Sequence, residues 1–312
     1  MVVNKNINMI DEMEISPILL FVYNRPFHTK KTIEALQLNS FSNYSDLFIY
    51  SDGSKSTEDF EQVLEVREYI KNIKGFKSVK VIERTENMGL SANIINGVTD
   101  VINKYGTVIV LEDDIVTSHH FLSFMNQALN YYKNKQNVWH IGGWNNPLNL
   151  SNLDDMFFWR IMNCWGWATW SDRWKNYKKN PLALVENWNE QQIYDFNIDG
   201  TVYFWDQVIS NLNGNINTWA IFWYATIFEN NGLCLNTAKS YVENIGFDGS
   251  GIHCRDIKTN KKTLINLNVN ENLQWPYLIE ESEIAIKKLK EISRVSLVKK
   301  IWKKIKVLGF ID

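Results

Sequence analysis

The amino-acid sequence predicts an α/β protein whose mostly parallel sheet is covered by helices on both faces. The first observation is a series of short apolar runs, at residues 17–23, 47–50, 79–82 and 107–111. Most of them lack the apolar–polar alternation of a strand with one wet face, which is typical of strands buried in a parallel sheet. The second observation is that longer segments of helical period separate the runs through short connections, which favours a parallel sheet.

The segments between the predicted strands predict helices. Pro26 suits the first turn of a helix that carries residues 29–38, because a first-turn residue needs no backbone N–H. Residues 57–73 and 87–102 also place apolar side chains at helical spacing, and a fourth helix is predicted to begin near Ser118. In the helix predicted at residues 57–73, the apolar stripe consists of Phe60, Val63, Leu64, Ile70 and Ile73.

The second half of the chain differs in composition, since all 13 tryptophans lie from Trp139 onward. No linker rich in Pro, Gly or Ser marks the change. We therefore predict one domain with two subregions, residues 1–137 and 138–280, followed by a C-terminal segment of residues 281–312. The periodicity here is weaker, and it predicts strands at residues 138–141, 156–159 and 233–235, helices at residues 202–212 and 220–228, and a helix around Trp174 that residues 164–170 lead into.

Length and composition describe an ordinary globular protein. The 312 residues suffice for one large domain or two small ones, and 45% are hydrophobic and 22% charged. Three cysteines without a CxxC pair indicate neither a disulfide framework nor a structural zinc site, which favours a reducing compartment. Residues 1–16 lack the apolar core of a secretory signal, and no run approaches the roughly 18 apolar residues of a membrane-spanning helix. We therefore expect a cytoplasmic protein.

Three acids, Glu112, Asp113 and Asp114, directly follow the apolar run at residues 107–111. Unpaired carboxylates are very costly to bury, so we expect these acids at the rim of the sheet, where open α/β folds bind ligands. Clustered carboxylate oxygens suit Mg²⁺ or Mn²⁺, which are usually shared with substrate phosphates. On these residues alone, a solvated acidic turn before the helix near Ser118 is an equal alternative.

Polar side chains also follow the three earlier strands. Asn24 and Arg25 follow the first strand, Asp52 the second and Asn87 the third. The carboxyl ends of parallel strands lie along one edge of a sheet. These residues and the three acids are therefore predicted to share one ligand-binding edge.

Candidate site residues in the second half carry less specific signals. Aromatic rings stack on the apolar faces of sugars, so Trp165 and Trp167 are predicted to line a pocket, with core packing as the alternative. Asp206 follows three aromatic residues, and apolar surroundings raise the pKa of a carboxyl group toward that of a general base. An exposed acid on a helix is the alternative. His253, after the glycine-rich residues 246–251, is a candidate metal or diphosphate ligand, and a loop histidine without a role is the alternative.

The C-terminal segment is basic and amphipathic. Residues 287–306 carry nine Lys/Arg and one acid, although the whole chain has a net charge of −2. The body is therefore acidic, which argues against nucleic acid as its ligand. Residues 284–308 place apolar side chains at helical spacing among lysines, which predicts a helix on an anionic membrane surface. A helix docked on the body with a wet lysine face is the alternative.

Taken in order, these residues resemble a known group of enzymes. From Pro17 to His253 the chain is similar to glycosyltransferases of the GT-A fold, both bacterial relatives of the N-acetylglucosaminyltransferase I type and the broad family 2 enzymes. The resemblance implies a Rossmann-like sheet, a nucleotide-sugar-binding half at residues 1–137 and an acceptor-binding half at residues 138–280. The motifs that carry it are residues 21–26 (FVYNRP), 51–54 (SDGS), 87–90 (NMGL) and 111–114 (LEDD), Gly166-Trp167 with Trp174, and Phe204-Trp205-Asp206.

The resemblance implies roles for the residues on the donor side. Tyr23, Arg25 and Asp52 would hold the nucleotide base and ribose, and Asn87 would lie beside the nucleotide. The expected donor is therefore a nucleotide-diphosphate sugar.

The resemblance also implies a metal site and a catalytic base. Residues 112–114 would form the metal motif, with Asp114 as the direct ligand of Mn²⁺ or Mg²⁺. Residues 244–253 loosely resemble the closing loop of the family, which makes His253 a further candidate metal ligand. Asp206 matches the position of the catalytic base, although Gln207 stands where the eukaryotic pattern has a second acid.

These features predict an inverting, metal-dependent transfer of a hexose or N-acetylhexosamine to a hydroxyl of a glycan or lipid-linked glycan. Surface polysaccharide or glycoconjugate assembly at the inner face of the cell membrane is the expected setting. One alternative is a sugar-phosphate nucleotidyltransferase, although such enzymes usually carry a glycine-rich, basic loop after the first strand. Another is a non-catalytic carbohydrate-binding protein, which leaves the acids without a purpose.

Overall fold

The structure is a computed structural model that describes residues 13–146, 155–248 and 273–293. The strands of the described residues are β1 (Ile18–Val22), β2 (Asp46–Ser51), β3 (Ser78–Glu83), β4 (Thr107–Glu112), β5 (Ile115–Thr117), β6 (Val138–Gly142), β7 (Met156–Trp159), β8 (Trp167–Trp170), β9 (Leu233–Thr237) and β10 (Val242–Asn244). The helices are α1 (Pro26–Gln37), α2 (Thr57–Ile70), α3 (Gly89–Tyr105), α4 (Phe121–Tyr132), α5 (Ser171–Trp174), α6 (Pro181–Asn187), α7 (Glu190–Phe196), α8 (Trp205–Leu212), α9 (Ala220–Glu229) and α10 (283–293). The strands and helices predicted within the described residues are present, with ends that differ by a few residues.

Eight strands form one sheet in the order β3-β2-β1-β4-β8-β6-β9-β7. β1 runs parallel to β2 and β4, β2 to β3, and β6 to β9. β8 runs antiparallel to β4 and β6, and β7 runs antiparallel to β9. The predicted α/β fold with a mostly parallel sheet is confirmed. Because β8 joins β4 to β6, a single sheet extends through both halves of the chain.

The strand order reverses between β1 and β4. The chain passes from β1 outward to β2 and β3, and then returns to place β4 on the other side of β1. The connections that leave the carboxyl ends of β1 and β4 therefore diverge. In open α/β sheets such a point forms the crevice in which ligands bind.

Strand β1 is buried on both faces, as its continuous apolar run predicts. Ile18, Leu20 and Val22 belong to the core that α1, α2 and α4 cover. Leu19 and Phe21 point to the other face, where the core includes side chains of α3 and α9. Helices therefore cover both faces of the sheet, as predicted.

The apolar stripe of α2 is partly different from the predicted one. Val63 and Ile70 are buried as predicted, but Phe60 is 50% exposed and Leu64 is 45% exposed. Val66 is buried instead. The helix therefore presents the 63–66–70 face to the sheet, a spacing of three and four residues that is equally compatible with the sequence.

Three strands were missed by the sequence analysis. The sequence of β8 predicts an aromatic segment that leads into a helix. In the structure it is a strand that pairs with β4 and β6. β5 and β10 are three residues long, and they pair with each other antiparallel in a separate two-stranded sheet. Strands this short carry too few residues for a period to be recognised.

The described part of the C-terminal segment docks on the body. Ala285, Ile286 and Leu289 of α10 are buried in the core that contains α3 and α9. Lys290 forms an ion pair with Asp199. For this part the docked alternative holds, whereas residues 294–308 lie outside the described residues. None of the described helices is long and apolar enough to cross a membrane.

Candidate functional site: the acid turn after β4

The acids that follow β4 form a turn at the rim of the sheet. Asp113 and Asp114 connect β4 to β5, and both are largely buried. Thr32 of α1 donates a hydrogen bond to the carbonyl oxygen of Asp113 at 2.8 Å. β5 pairs with β10 so that Asn244 lies opposite Ile115, which brings the chain after β10 to the turn. The rim position is as predicted, and these two aspartates are not a freely solvated turn.

Arg25, between β1 and α1, pairs with both aspartates. Its Nη2 atom contacts Oδ1 of Asp113 and lies 2.9 Å from Oδ2 of Asp114. Its Nε atom lies 3.4 Å from Oδ2 of Asp113. A guanidinium group binds carboxylates through such a fork of donors. The structure thus brings three predicted site residues together, but it places Arg25 on the acids, whereas the resemblance places it at the base and ribose.

Burial and ion pairing shift pKa values at the acid turn. Burial raises the pKa of Asp113, although Arg25 opposes this shift. Burial, Asp114 and Asp113 together raise the pKa of Glu112 to about 8, again against Arg25. Burial acts to lower the pKa of Arg25, and the two aspartates outweigh it, so that the pKa is raised. The guanidinium therefore stays charged at the acid turn.

Residues 244–248, here named the strap, cross the acid turn. The backbone N–H of Ile245 donates a hydrogen bond to the carbonyl oxygen of Asp114 at 2.9 Å. A Cβ atom on Gly246 would collide with Oδ2 of Asp114 and would lie 3.0 Å from Nη1 of Arg25. Glycine is therefore required at position 246 if the strap is to pack this closely on the ion pair.

The far end of the strap contacts two other parts of the molecule. The ring of Phe247 meets that of Trp165 edge-on at 5.5 Å, and Trp165 meets Trp144 at 4.4 Å. Oδ2 of Asp248 lies 3.1 Å from Nε2 of His28 in α1. The strap thus contacts Trp165, a predicted site residue, as well as the acid turn.

The position of Trp167 in the structure contradicts the prediction that it lines an acceptor pocket. Its side chain is 1% exposed and its ring stacks on Trp219 at 5.1 Å and on His140 at 5.5 Å. The physical reason lies in Gly166, whose φ of 60° interrupts the extended chain just before β8 begins. Residues 165 and 167 therefore do not share one face, although they are two apart in sequence.

The acid turn offers carboxylate oxygens to a divalent cation. Within the described ranges, no three His, Cys, Asp or Glu side chains form a group that could hold a metal ion. One oxygen each of Asp113 and Asp114 nevertheless contacts the same Nη2 atom of Arg25, so two carboxylate oxygens converge on one cation position. Mg²⁺ is usually bound by one or two carboxylates, with substrate phosphates and waters as its other ligands. The two aspartates therefore fit an ion that a diphosphate completes.

Asp52, at the end of β2, binds the start of α3. Its carboxylate accepts hydrogen bonds from the backbone N–H groups of Met88 and Gly89, each at 2.9 Å, and of Gly53 at 3.0 Å. Asn87 donates from Nδ2 to the carbonyl oxygen of Gly53 at 2.8 Å. Asp52 and Asn87 thus lie close together at the edge, and their visible contacts hold two loops to each other.

Tyr23 and Asn24 lead to an acid that the sequence analysis missed, Asp59 in the first turn of α2. The Tyr23 hydroxyl donates to Oδ2 of Asp59 at 2.9 Å and accepts from the N–H of Lys55 at 2.9 Å, and Asn24 donates to Oδ1 at 2.7 Å. Burial raises the pKa of Tyr23 to about 12, while the hydrogen bond from Tyr23 lowers the pKa of Asp59. The pattern of Ser56 followed three residues later by an acid marks a helix start and was the available signal.

Asp206 is exposed in the first turn of α8. Its neighbour Trp205 stacks on Trp188 at 5.3 Å, which fixes the helix and leaves the carboxylate in solvent. Among the described residues, no hydrogen bond or ion pair connects Asp206 to the acid turn. Its role as a base stays a prediction, and His253 lies outside the described residues.

No family model and no curated protein matches the sequence. Among solved structures, the chain is similar to S. aureus TarS, with 14% identity and a TM-score of 0.29 over 40% of this chain and 21% of that one. It is also similar to the mannosyltransferase PcManGT from Pyrobaculum calidifontis in complex with GDP-Man and Mn²⁺, with 8% identity and a TM-score of 0.37 over 74% of this chain and 76% of that one.

A third similar structure is the galactosyltransferase LgtC in complex with donor and acceptor sugar analogues. It shares 8% identity with a TM-score of 0.37, over 68% of this chain and 70% of that one. The chain thus spans about a fifth of the length of TarS and larger shares of the other two. Identities and TM-scores this low leave the function to be argued from the residues of the site.

Proposed function

We propose that this protein is a glycosyltransferase of the GT-A type, which moves a sugar from a nucleotide-diphosphate sugar to a hydroxyl group with inversion at the anomeric carbon. The observation that carries the proposal is the meeting of Arg25, Asp113 and Asp114 where the strand order reverses between β1 and β4. Ligands of open α/β sheets bind at that point. Cation-binding oxygens there suit a diphosphate that Mn²⁺ or Mg²⁺ bridges.

The donor would occupy the edge formed by the carboxyl ends of β1, β2 and β4. Asp113 and Asp114 would hold the cation, with Asp114 as the direct protein ligand. When bound, the cation would neutralise the negative charge that develops on the leaving nucleoside diphosphate. Tyr23 and Asn87 are proposed to contact the base and ribose, and Asp52 is proposed to hold Asn87 and its loop in place.

The acceptor would bind between α8 and the strap. Asp206, exposed in the first turn of α8, is proposed to take the proton from the attacking hydroxyl. Trp165 is proposed to stack on the acceptor sugar, because its ring borders the strap at Phe247. One base on the side opposite the leaving group gives a single in-line displacement and hence inversion. The transferred sugar is proposed to be a hexose or an N-acetylhexosamine.

The connection after β1 argues against a sugar-phosphate nucleotidyltransferase. Only residues 23–25 separate β1 from α1, which leaves no room for a glycine-rich, basic loop. A non-catalytic carbohydrate-binding protein is also less favoured. Carbohydrate binding without catalysis would not require two aspartates to be buried with an arginine at the ligand-binding edge. Burying these charged side chains is costly.

Substitution of Asp114 tests the proposed donor site most simply. In an assay of donor hydrolysis and sugar transfer with a panel of nucleotide sugars, we expect Asp114→Asn to lower the turnover by about 10²–10³-fold, the range typical for loss of one charge-stabilising group. The matched control is Asp195→Asn, which changes an acid of α7 whose carboxylate accepts a hydrogen bond from Gln191 of the same helix. An unchanged rate in excess EDTA would contradict the proposed metal dependence.

Substitution of Asp206 tests the proposed base separately. We expect Asp206→Asn to lower the turnover by roughly 10²–10⁴-fold, as for loss of a general base. Nucleotide binding, measured by calorimetry, is expected to remain as in the wild type, because no hydrogen bond or ion pair within the described ranges connects Asp206 to the acid turn. Near-wild-type turnover of this variant would exclude Asp206 as the base.

A lipid-linked acceptor would be consistent with a basic C-terminal segment. The described part of α10 uses Ala285, Ile286 and Leu289 to dock on the body, so we propose that membrane contact depends on residues 294–308. Deletion of residues 294–312 is then expected to abolish sedimentation with anionic liposomes and to leave the melting temperature unchanged. Equal liposome binding by the deleted and the complete chain would remove the basis for this proposal.

A further inference from the structure

Arg25 already occupies the position to which the acid turn would bring a divalent cation. Its Nη2 atom contacts one oxygen each of Asp113 and Asp114, and two cations cannot share that point. Resting on the function proposed above, we propose that Arg25 is the resident counter-ion of the two aspartates. The diphosphate of an incoming nucleotide draws it away, so that the divalent cation binds tightly only together with the diphosphate.

The burial of the ion pair makes an exchange of partners necessary. The side chains of Asp113 and Asp114 are 6% and 11% exposed. Removing the partner of a buried charge is strongly destabilising, so the ionised aspartates need a cationic partner. The side chain of Arg25 is 19% exposed and requires an anion in the same way.

A diphosphate with its cation satisfies both requirements in one step. Phosphate oxygens accept the same fork of N–H donors that Arg25 now directs at Asp113. The divalent cation then replaces the guanidinium on the aspartates. A free cation without a diphosphate would displace Arg25 and offer it no anion in exchange. Weak binding of the cation alone follows from this difference.

The strap restrains Arg25 in its present position. Gly246 packs against Asp114, close to the guanidinium of Arg25, and the N–H of Ile245 bonds to the backbone of Asp114. Because the strap packs against the ion pair on this side of the turn, we expect it to shift when the guanidinium leaves the aspartates. Exchange of the cations is therefore expected to involve residues 244–248 as well as the ion pair.

The proposal predicts a thermodynamic coupling between cation and nucleotide. By linkage, each ligand raises the affinity for the other by the same factor. Without Arg25, no resident counter-ion has to be displaced, and binding of the cation alone should improve. If Arg25 holds the aspartates in about nine molecules of ten, the improvement is on the order of tenfold.

The test is a titration of the complete chain with Mn²⁺, followed by electron paramagnetic resonance, in the absence and presence of UDP or GDP. We expect Arg25→Gln to bind Mn²⁺ alone about tenfold more tightly than the wild type. Arg25→Lys should lie between them, because an ammonium group is a point charge without the fork. Lys30→Gln, which removes one exposed positive charge from α1, the helix that follows Arg25, should behave as the wild type.

Thermal unfolding supplies a second readout that does not depend on activity. Mn²⁺ alone should raise the melting temperature of Arg25→Gln and leave that of the wild type nearly unchanged, whereas Mn²⁺ with UDP or GDP should raise both. Should wild type bind Mn²⁺ with nucleotide while neither Arg25 variant binds Mn²⁺ alone more tightly than it does, the proposal is overturned and the proposed function stands. Should the wild type fail to bind Mn²⁺ even with nucleotide, the metal-dependent function fails as well.

Discussion

The end of β4 buries charged side chains, whereas the tryptophan-rich second half buries large aromatic side chains. At the acid turn, Arg25 and the two aspartates are buried in contact with one another, and each needs the others as partners. In the second half, Trp167 is buried among rings that would pack equally well without any ligand. The comparison teaches that buried, paired charge at a strand end is a feature for which ligand binding can be tested, whereas buried aromatic area stabilises the fold.

The largest expected effect concerns the two neighbouring tryptophans. We expect Trp167→Ala to lower the free energy of unfolding by about 3–5 kcal/mol, because a large buried ring leaves a cavity. Trp165→Ala should cost less stability, since its ring is only partly buried, and should act mainly on the KM for the acceptor. Urea unfolding and acceptor kinetics measure the two effects. Equal losses of stability for both variants would break the comparison.

A smaller effect is expected at Asp52, where a charge serves the backbone. Its carboxylate accepts the backbone N–H groups of Met88 and Gly89 at the start of α3 and that of Gly53, so Asp52→Ala should lower the free energy of unfolding by about 1 kcal/mol, as for loss of a helix cap. Nucleotide affinity should fall only as far as the loop of Asn87 loosens. A large loss of nucleotide affinity at unchanged stability would instead indicate that Asp52 contacts the ligand directly.

The finest test concerns Glu112, whose pKa is raised to about 8 by burial and by the aspartates. The folded state favours the protonated form of Glu112. The contribution of Glu112 to the free energy of unfolding is therefore fully present below about pH 4.5, the usual pKa of the group, and is lost as the pH rises through about 8. Without added metal, Glu112→Gln should therefore gain stability relative to the wild type between about pH 5 and about pH 9. The control is Glu68→Gln on the surface of α2, and a pH-independent difference for Glu112→Gln would contradict the shift.

The first half of the fold was predictable because its signals are local. Continuous apolar runs predicted β1 and β4, and the acids lie after β4 as predicted, although Asp113 and Asp114 are buried in an ion pair. The partner of these acids was not predictable in the same way. Arg25 lies 88 residues from Asp113 in the sequence, and only the assembled sheet brings β1 next to β4.

The strap and the fate of the tryptophans were not predictable, for different physical reasons. The strap reaches the acid turn because β10 pairs with β5, and neither three-residue strand has a recognisable pattern. Trp165 and Trp167 have the same chemistry, and the left-handed backbone of Gly166 alone separates the partly exposed ring from the buried one. Residue type predicted that both rings line a pocket. The backbone conformation at Gly166 instead determines which of the two rings is buried.

The most direct test of the central claim is a crystal of this protein soaked with Mn²⁺ and UDP or GDP. The account predicts an anomalous peak bonded to Asp114 and to the diphosphate, with Arg25 moved from the aspartates to the phosphate oxygens. A nucleotide bound elsewhere, with Arg25 still paired to Asp113 and Asp114, would contradict it.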